Sequence, residues 1–252
     1  MVNRIVATVL CCFTFSQLTI ADEIKVAAGV FIGIIEEDGQ GPYQLILKEA
    51  AKRADIDFTE VVYPLKRAVL TFTERRALTV YGMTEAVIEE IGEDNIITSY
   101  PLGIYKVFIF THKGEPAISN YDQLKGKVLG GVNGYQTYYR GLIEQGIDIT
   151  YFAQEEHQLM RYEKGRIDAI IGFMPDWMPY LDRLTYDPNF PIIVGYDYMT
   201  VWKTPAGRAF VDKISPVLQG MKLDGTLKEI LGDRYMDFDY KATRKFEWVP
   251  DQ

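Results

Sequence analysis

The stretch Lys127–Phe173, KVLGGVNGYQTYYRGLIEQGIDITYFAQEEHQLMRYEKGRIDAIIGF, decides the fold. Lys127–Gly131 is a short apolar run ending in paired glycines, and Asn133-Gly134 is a turn signal. Tyr135–Gln145 has helical spacing of its apolar residues, Ile149–Phe152 is a strand, Glu155–Lys164 a second helix, and Asp168–Phe173 an apolar strand. Strand, helix, strand, helix, strand in that order requires parallel strands joined by crossover helices.

The same alternation recurs upstream. Ile24–Ala28 is a strand that meets Gly29, and Pro42–Ala54 is a helix with proline in its first turn. Phe58–Tyr63 is a strand, Pro64 opens a helix running through Ala68 and Phe72, and Leu78–Tyr81 is a third strand. Between the two series lies the apolar strand Tyr105–Thr111. After them come an expected helix over Pro175–Leu184, a strand over Ile192–Tyr196, and a helical tail, Ala206–Gly232, interrupted at Gly220 and at Asp224-Gly225. No glycine-rich linker separates the two series, so they read as two lobes of one unit with α/β architecture.

Composition narrows the function. The 252 residues carry 27 Lys+Arg against 35 Asp+Glu, a net charge of -8, with 48% hydrophobic residues. This is a foldable chain. Its acidity argues against a nucleic-acid partner, whose phosphates require a basic face. The N-terminus has Arg4, then the apolar run Ile5–Phe15, then Thr19 and Ala21 before the charged pair Asp22-Glu23. That is the layout of a secretory signal peptide cut after Ala21, and the run is too short to span a bilayer, which takes about 20 apolar residues. Both cysteines, Cys11 and Cys12, fall inside it. The mature chain then has no disulfide framework and depends on its core. The expected compartment is the periplasm.

Chemistry-bearing motifs are scarce. His112 and His157 stand far apart with no cysteine or histidine at ligand spacing, so no metal site is expected. There is no Gly-x-Ser-x-Gly elbow, phosphate loop or dinucleotide fingerprint, and no cofactor is expected. The 17 Tyr, 13 Phe and 3 Trp are more informative. Several tyrosines lie beside Gly or Pro at strand ends, as in Tyr81-Gly82, Gly134-Tyr135 and Gly195-Tyr196. Ligands of open α/β sheets bind beyond the carboxyl ends of the strands, where aromatic rings supply stacking area with polar tips.

Three segments carry a resemblance. Tyr121–Gly131 (YDQLKGKVLGG), Glu163–Gly172 (EKGRIDAIIG) and Leu223–Ile230 (LDGTLKEI) stand in the order found in the two-lobed extracellular solute-binding proteins of amino-acid-type ABC importers. The chain resembles a divergent member of that family. The resemblance implies a type II periplasmic-binding-protein-like fold, with lobe 1 formed by residues 22–111 and 198–252 and lobe 2 by residues 112–197. The strands Tyr105–Thr111 and Ile192–Met199 would cross between the lobes. It also implies a small-molecule ligand in the cleft, an ABC-transporter permease in the inner membrane as partner, and a monomer without enzymatic activity.

The departures from that family are specific. The arginine that clamps an α-carboxylate should stand where Glu89 does, and the aspartate for the α-ammonium where Phe173 does. The expected cleft residues are Phe31, Tyr43, Arg67, Tyr81, Gly82, Thr84, Tyr135, Gln136, Phe173 and Tyr198. Arg67 facing inward implies a carboxylate ligand, whereas Glu85 and Glu36–Asp38 facing inward imply a cation. Two other readings use the same fold: a sensor that reports its ligand state to a receptor, and a dehydratase with Glu85 or Glu89 as general acid. Mass spectrometry of the exported protein is expected to show a chain beginning at Asp22 that consumes no thiol reagent; a retained Cys11 or Cys12 would contradict the cleavage site.

Overall fold

A computed structural model describes residues 24–31 and 33–240. The expected signal peptide lies outside the described residues. The first half of the chain runs β1 (Ile24–Gly29), α1 (Pro42–Ala54), β2 (Phe58–Tyr63), α2 (Leu65–Thr73), β3 (Thr79–Tyr81), α3 (Thr84–Ile91), β4 (Ile96–Thr98) and β5 (Gly103–His112). The second half runs β6 (Val128–Val132), α4 (Gln136–Glu144), β7 (Asp148–Phe152), α5 (Glu155–Glu163), β8 (Ala169–Met174), β9 (Leu184–Thr185), β10 (Ile193–Asp197), β11 (Met199–Trp202), α6 (Pro205–Leu223) and α7 (Thr226–Leu231). Among the described residues no helix is long and apolar enough to cross a membrane.

Two sheets organise these elements. The first has the order β2-β1-β3-β11-β4, and the second β10-β5-β8-β6-β7. In each, three strands are parallel, as the crossover helices require: β2, β1 and β3 in the first, β7, β6 and β8 in the second. The returning strands β11, β5 and β10 pair antiparallel. Both faces of each sheet are covered, which is why its central strands are apolar on both sides. On the first sheet, Ile46, Ala50, Val211, Ile214 and Leu218 of α1 and α6 fill one face, and Ala68, Phe72 and Val87 of α2 and α3 the other. On the second, Tyr139 and Leu142 of α4 pack on one face, and Leu159, Tyr162 and Trp177 on the other.

Among the described residues, the chain passes from a strand of one sheet to a strand of the other twice. The first passage is residues 99–102 and the second is Tyr198. They run side by side, since the Leu102 amide donates to the Asp197 carbonyl (2.8 Å) and the Ser99 amide to the Met199 carbonyl (2.9 Å). Tyr105–Thr111, expected to cross between lobes, is instead hydrogen-bonded to β8 and β10 within the second sheet.

Two helical expectations are corrected. Pro175–Leu184 forms turns with one 3-10 segment, Met178–Tyr180. Pro179 has no amide hydrogen to continue a helix, and Trp177 is drawn into the core, stacked on Phe110 at 5.8 Å. The C-terminal helix α6 runs unbroken through Gly220; the interruption falls only at Asp224-Gly225, where Gly225 adopts φ +87°.

Glycine packing provides a stability test. A Cβ on Gly172 would lie 2.6 Å from Trp177 Cδ1, whereas one on Gly141, on the exposed face of α4, would meet nothing within 4 Å. Gly172→Ala is expected to lose about 1–3 kcal/mol of unfolding free energy in urea titrations. Gly141→Ala is expected to gain about 0.5–1 kcal/mol. Equal effects of the two changes would contradict this packing.

Candidate functional site

The carboxyl ends of the parallel strands of both sheets point at the same cavity. Phe31 follows β1, Gly82 follows β3, Tyr135 follows β6, and Pro175 and Asp176 follow β8; all line it. Gly82 has φ +73°, donates its amide to the Tyr198 carbonyl (3.1 Å), and leaves Phe31 room to lie over the backbone. Any side chain at that position would be strained.

Aromatic rings from both sheets close the cavity. Tyr135 is stacked on Phe31 (6.0 Å, 10°) and tilted against Phe173 (4.7 Å). Tyr138 stands edge-on to Phe173 (5.3 Å) and to Tyr105 (5.7 Å). Tyr135 caps α4 and Tyr138 lies one turn on, a spacing that puts both rings on one face. Phe31, which belongs to the first sheet's side of the molecule, packs against the core of the second.

Three carboxylates meet these rings. Tyr43 Oη donates to Asp197 Oδ2 (2.6 Å). Tyr105 and Tyr138 donate to the two oxygens of Glu85 (2.7 and 3.1 Å). Asp176 lies on the wall beside Asp197. Burial raises the Asp197 carboxyl to about 7; the Tyr43 hydrogen bond opposes the rise and the charge of Glu85 adds to it. Asp176 is raised well above the usual carboxylate range, first by burial, then by Glu155 and Asp197, with Arg234 acting in the opposite sense. Among the described residues that line the cavity there is no lysine, arginine or histidine. The cavity volume is about 30 Å³, against about 150 Å³ for a cavity that takes benzene, so an organic solute enters only if the walls part.

A second set of contacts joins the sheets at the rim. Glu89 of α3 pairs with Arg140 of α4 (2.6 Å) and accepts from the Thr137 hydroxyl. Both charged side chains are largely exposed, so the pair is worth at most about 1 kcal/mol.

Of the residues expected from sequence, Phe31, Tyr43, Gly82, Tyr135 and Phe173 line the cavity. The others lie elsewhere. Arg67 is exposed on α2 and is not on the cavity wall. Tyr81 is buried in the first sheet and donates to Glu60. The Thr84 hydroxyl is buried and paired with that of Thr200 (2.7 Å), off the cavity wall. Gln136 turns back to accept the Gly134 amide (2.8 Å). Tyr198 is buried at the second passage between sheets. Sequence reasoning missed Tyr105, Tyr138, Asp176 and Asp197. Asp176 was hidden in the segment read as a helix, and Asp197 directly follows the flagged Gly195-Tyr196.

No protein-family model matches the sequence, and none of the curated proteins does. Solved structures do match. The GluR0 ligand-binding core from Nostoc punctiforme, in complex with L-glutamate, superimposes with a TM-score of 0.67 at 16% identity, covering 84% of this chain and 99% of that one. An ancestral arginine-binding protein bound to arginine gives 0.64 at 19% identity, covering 85% and 98%. The VFT2 domain of Bordetella pertussis BvgS, as a double mutant, gives 0.66 at 14% identity, covering 84% and 92%. The fold is therefore the two-lobed α/β fold of periplasmic binding proteins, with mixed sheets flanked by helices.

The electrostatics generate a stability prediction. Asp197 is faced by Tyr43 of α1, Glu85 of α3, Tyr105 of β5, Tyr135 and Tyr138 of α4, and Asp176. Its native pKa of about 7 exceeds the ordinary 3.8, so between these values the native state binds more protons than the unfolded chain. Stability contributed by this group is therefore present below about pH 4 and is lost as pH rises through about 7. Asp197→Asn is expected to melt above the parent protein at pH 8, with the difference shrinking toward pH 4. A difference independent of pH would show that Asp197 does not titrate in this way.

Proposed function

We propose that this chain is an exported solute-binding protein that encloses a small organic molecule between its two lobes and performs no chemistry on it. The observation that supports this reading is the cavity itself. It is built from the carboxyl ends of strands in both sheets, and its walls touch each other through rings and hydroxyl–carboxylate bonds that cross from one sheet to the other. Among the described residues, strands of the two sheets are joined through a paired set of passages, residues 99–102 and Tyr198, which suits a hinge. Two of the structures it resembles are described as bound to glutamate and to arginine, which agrees with a small polar solute. The lobes follow the two sheets, divided at those passages. In the periplasm the closed, loaded form would be read by the permease of an ABC importer, with the protein acting as a monomer.

The missing family arginine and the outward position of Arg67 leave an α-amino acid without its usual carboxylate clamp. A thermal-shift screen of the Asp22–Gln252 chain against amino acids, amines, organic acids and small sugars tests the proposal. Binding at a hundredfold excess over Kd adds about 2.7 kcal/mol, which raises Tm by roughly 5–10 °C for this size. Tyr135→Ala and Phe173→Ala are expected to weaken binding of the responding compound at least tenfold, and Arg67→Ala to leave it unchanged. A response that survives both aromatic changes would place the solute elsewhere, and no response to any class would contradict the proposal.

A further inference from the structure

The chemical class of the solute can be argued from the wall, resting on the binding function proposed above. Asp176 and Asp197 both face the cavity, Glu85 lies just behind its tyrosines, and no basic side chain is present among the described lining residues. The cation that acts on Asp176 is Arg234, on the short segment after α7 and outside the wall. Tyr43, Tyr105 and Tyr138 turn their hydroxyls to the carboxylates, which leaves ring surface rather than donors toward the space between them. A carboxylate solute would meet acids with no donor cation. A neutral sugar would meet rings and acceptors but leave the acids uncompensated. A hard metal ion would need six or more oxygens, and this wall is mostly apolar. An organic cation satisfies both halves of the wall, since its charge faces the carboxylates and its substituents lie on aromatic faces.

We propose that the cleft takes a small organic cation, an alkylammonium, quaternary ammonium or guanidinium compound, seated between Phe31, Tyr135 and Phe173 with Asp176 and Asp197 as counter-charges. Acids crowded on a wall that itself carries no cation are unfavourable in the empty protein, with Arg234 offsetting only part of the cost at Asp176 from outside the wall, and the bound solute supplies the missing charge. Binding is therefore linked to proton release from the acids and strengthens as pH rises.

Calorimetric titration of the Asp22–Gln252 chain with tetramethylammonium, putrescine and agmatine, against succinate, glutamate and erythritol, tests this. At least one of the three cations is expected to bind, more tightly at pH 8 than at pH 5.5, and the anions and the neutral polyol are not. Asp197→Asn and, separately, Asp176→Asn are expected to weaken that cation at least tenfold, with circular dichroism confirming that each variant is folded. Tyr135→Leu, which keeps bulk but removes the ring face, is expected to weaken it severalfold. Binding of succinate, glutamate or erythritol in place of the cations would overturn the cation class while leaving the binding function standing. Silence from all six probes would count against both, and cation binding unaffected by either aspartate change would overturn the assigned seat.

Discussion

Asp197 links the passages between the two sheets to the cavity. It ends β10, immediately before the chain leaves the second sheet through Tyr198. Its carbonyl accepts the Leu102 amide from the other passage, which ties the two connections together. Its carboxylate faces the cavity and is held by Tyr43 from the first sheet's helix α1. Backbone geometry that pairs the two passages thus also fixes the position of a buried carboxyl. The raised pKa is the energetic consequence: a carboxyl taken from water and set near Glu85 gains back only the Tyr43 bond. Such local conflict, unfavourable for folding, is what a binding site looks like when the compensating group is to come from outside.

The aromatic wall explains how the lobes meet without a solute. Phe31 on Tyr135, and the Tyr105 and Tyr138 hydroxyls on Glu85, bridge the sheets with contacts that are individually small. Ring pairs contribute about 0.5–1.5 kcal/mol beyond area burial, and the exposed Glu89–Arg140 pair less. On the proposed function, a closed empty form held this way would be balanced against an open one, and a solute would shift the balance only by what it adds in the closed form. The remaining space of about 30 Å³ makes that addition depend on the rings moving apart.

Much of the fold could be read from the chain because parallel βαβ units have strong local signatures. Lys127–Gly131, Glu155–Lys164 and Phe58–Tyr63 are each legible from period and turn residues alone: β2 has the expected bounds, β6 is shifted by one residue, and α5 ends one residue earlier. Pro175–Leu184 was misread because Pro175 looks like a helix start, while the burial of Trp177 against Gly172 and Phe110 is a tertiary fact with no local period. The site was half legible for the same reason. Glycine-flanked positions such as Gly82 and Tyr135 announce strand ends, so they were found. Asp176 and Asp197 become site residues only because two distant segments converge, which a single sequence does not display. Arg67 was attractive as a cation to replace a missing one, but the turn of α2 on which it sits faces solvent.

The central claim is that the two sheets part and close around the solute, and interspin distance measures this most directly. The chain beyond Ala21 has no cysteine, so Lys66→Cys on α2 and Glu156→Cys on α5, both exposed, would carry the only two spin labels. A broad or two-population distance distribution is expected in the free protein, collapsing onto its shorter component when a bound cation saturates the cleft. A single distance, unchanged by a solute that demonstrably binds, would contradict it.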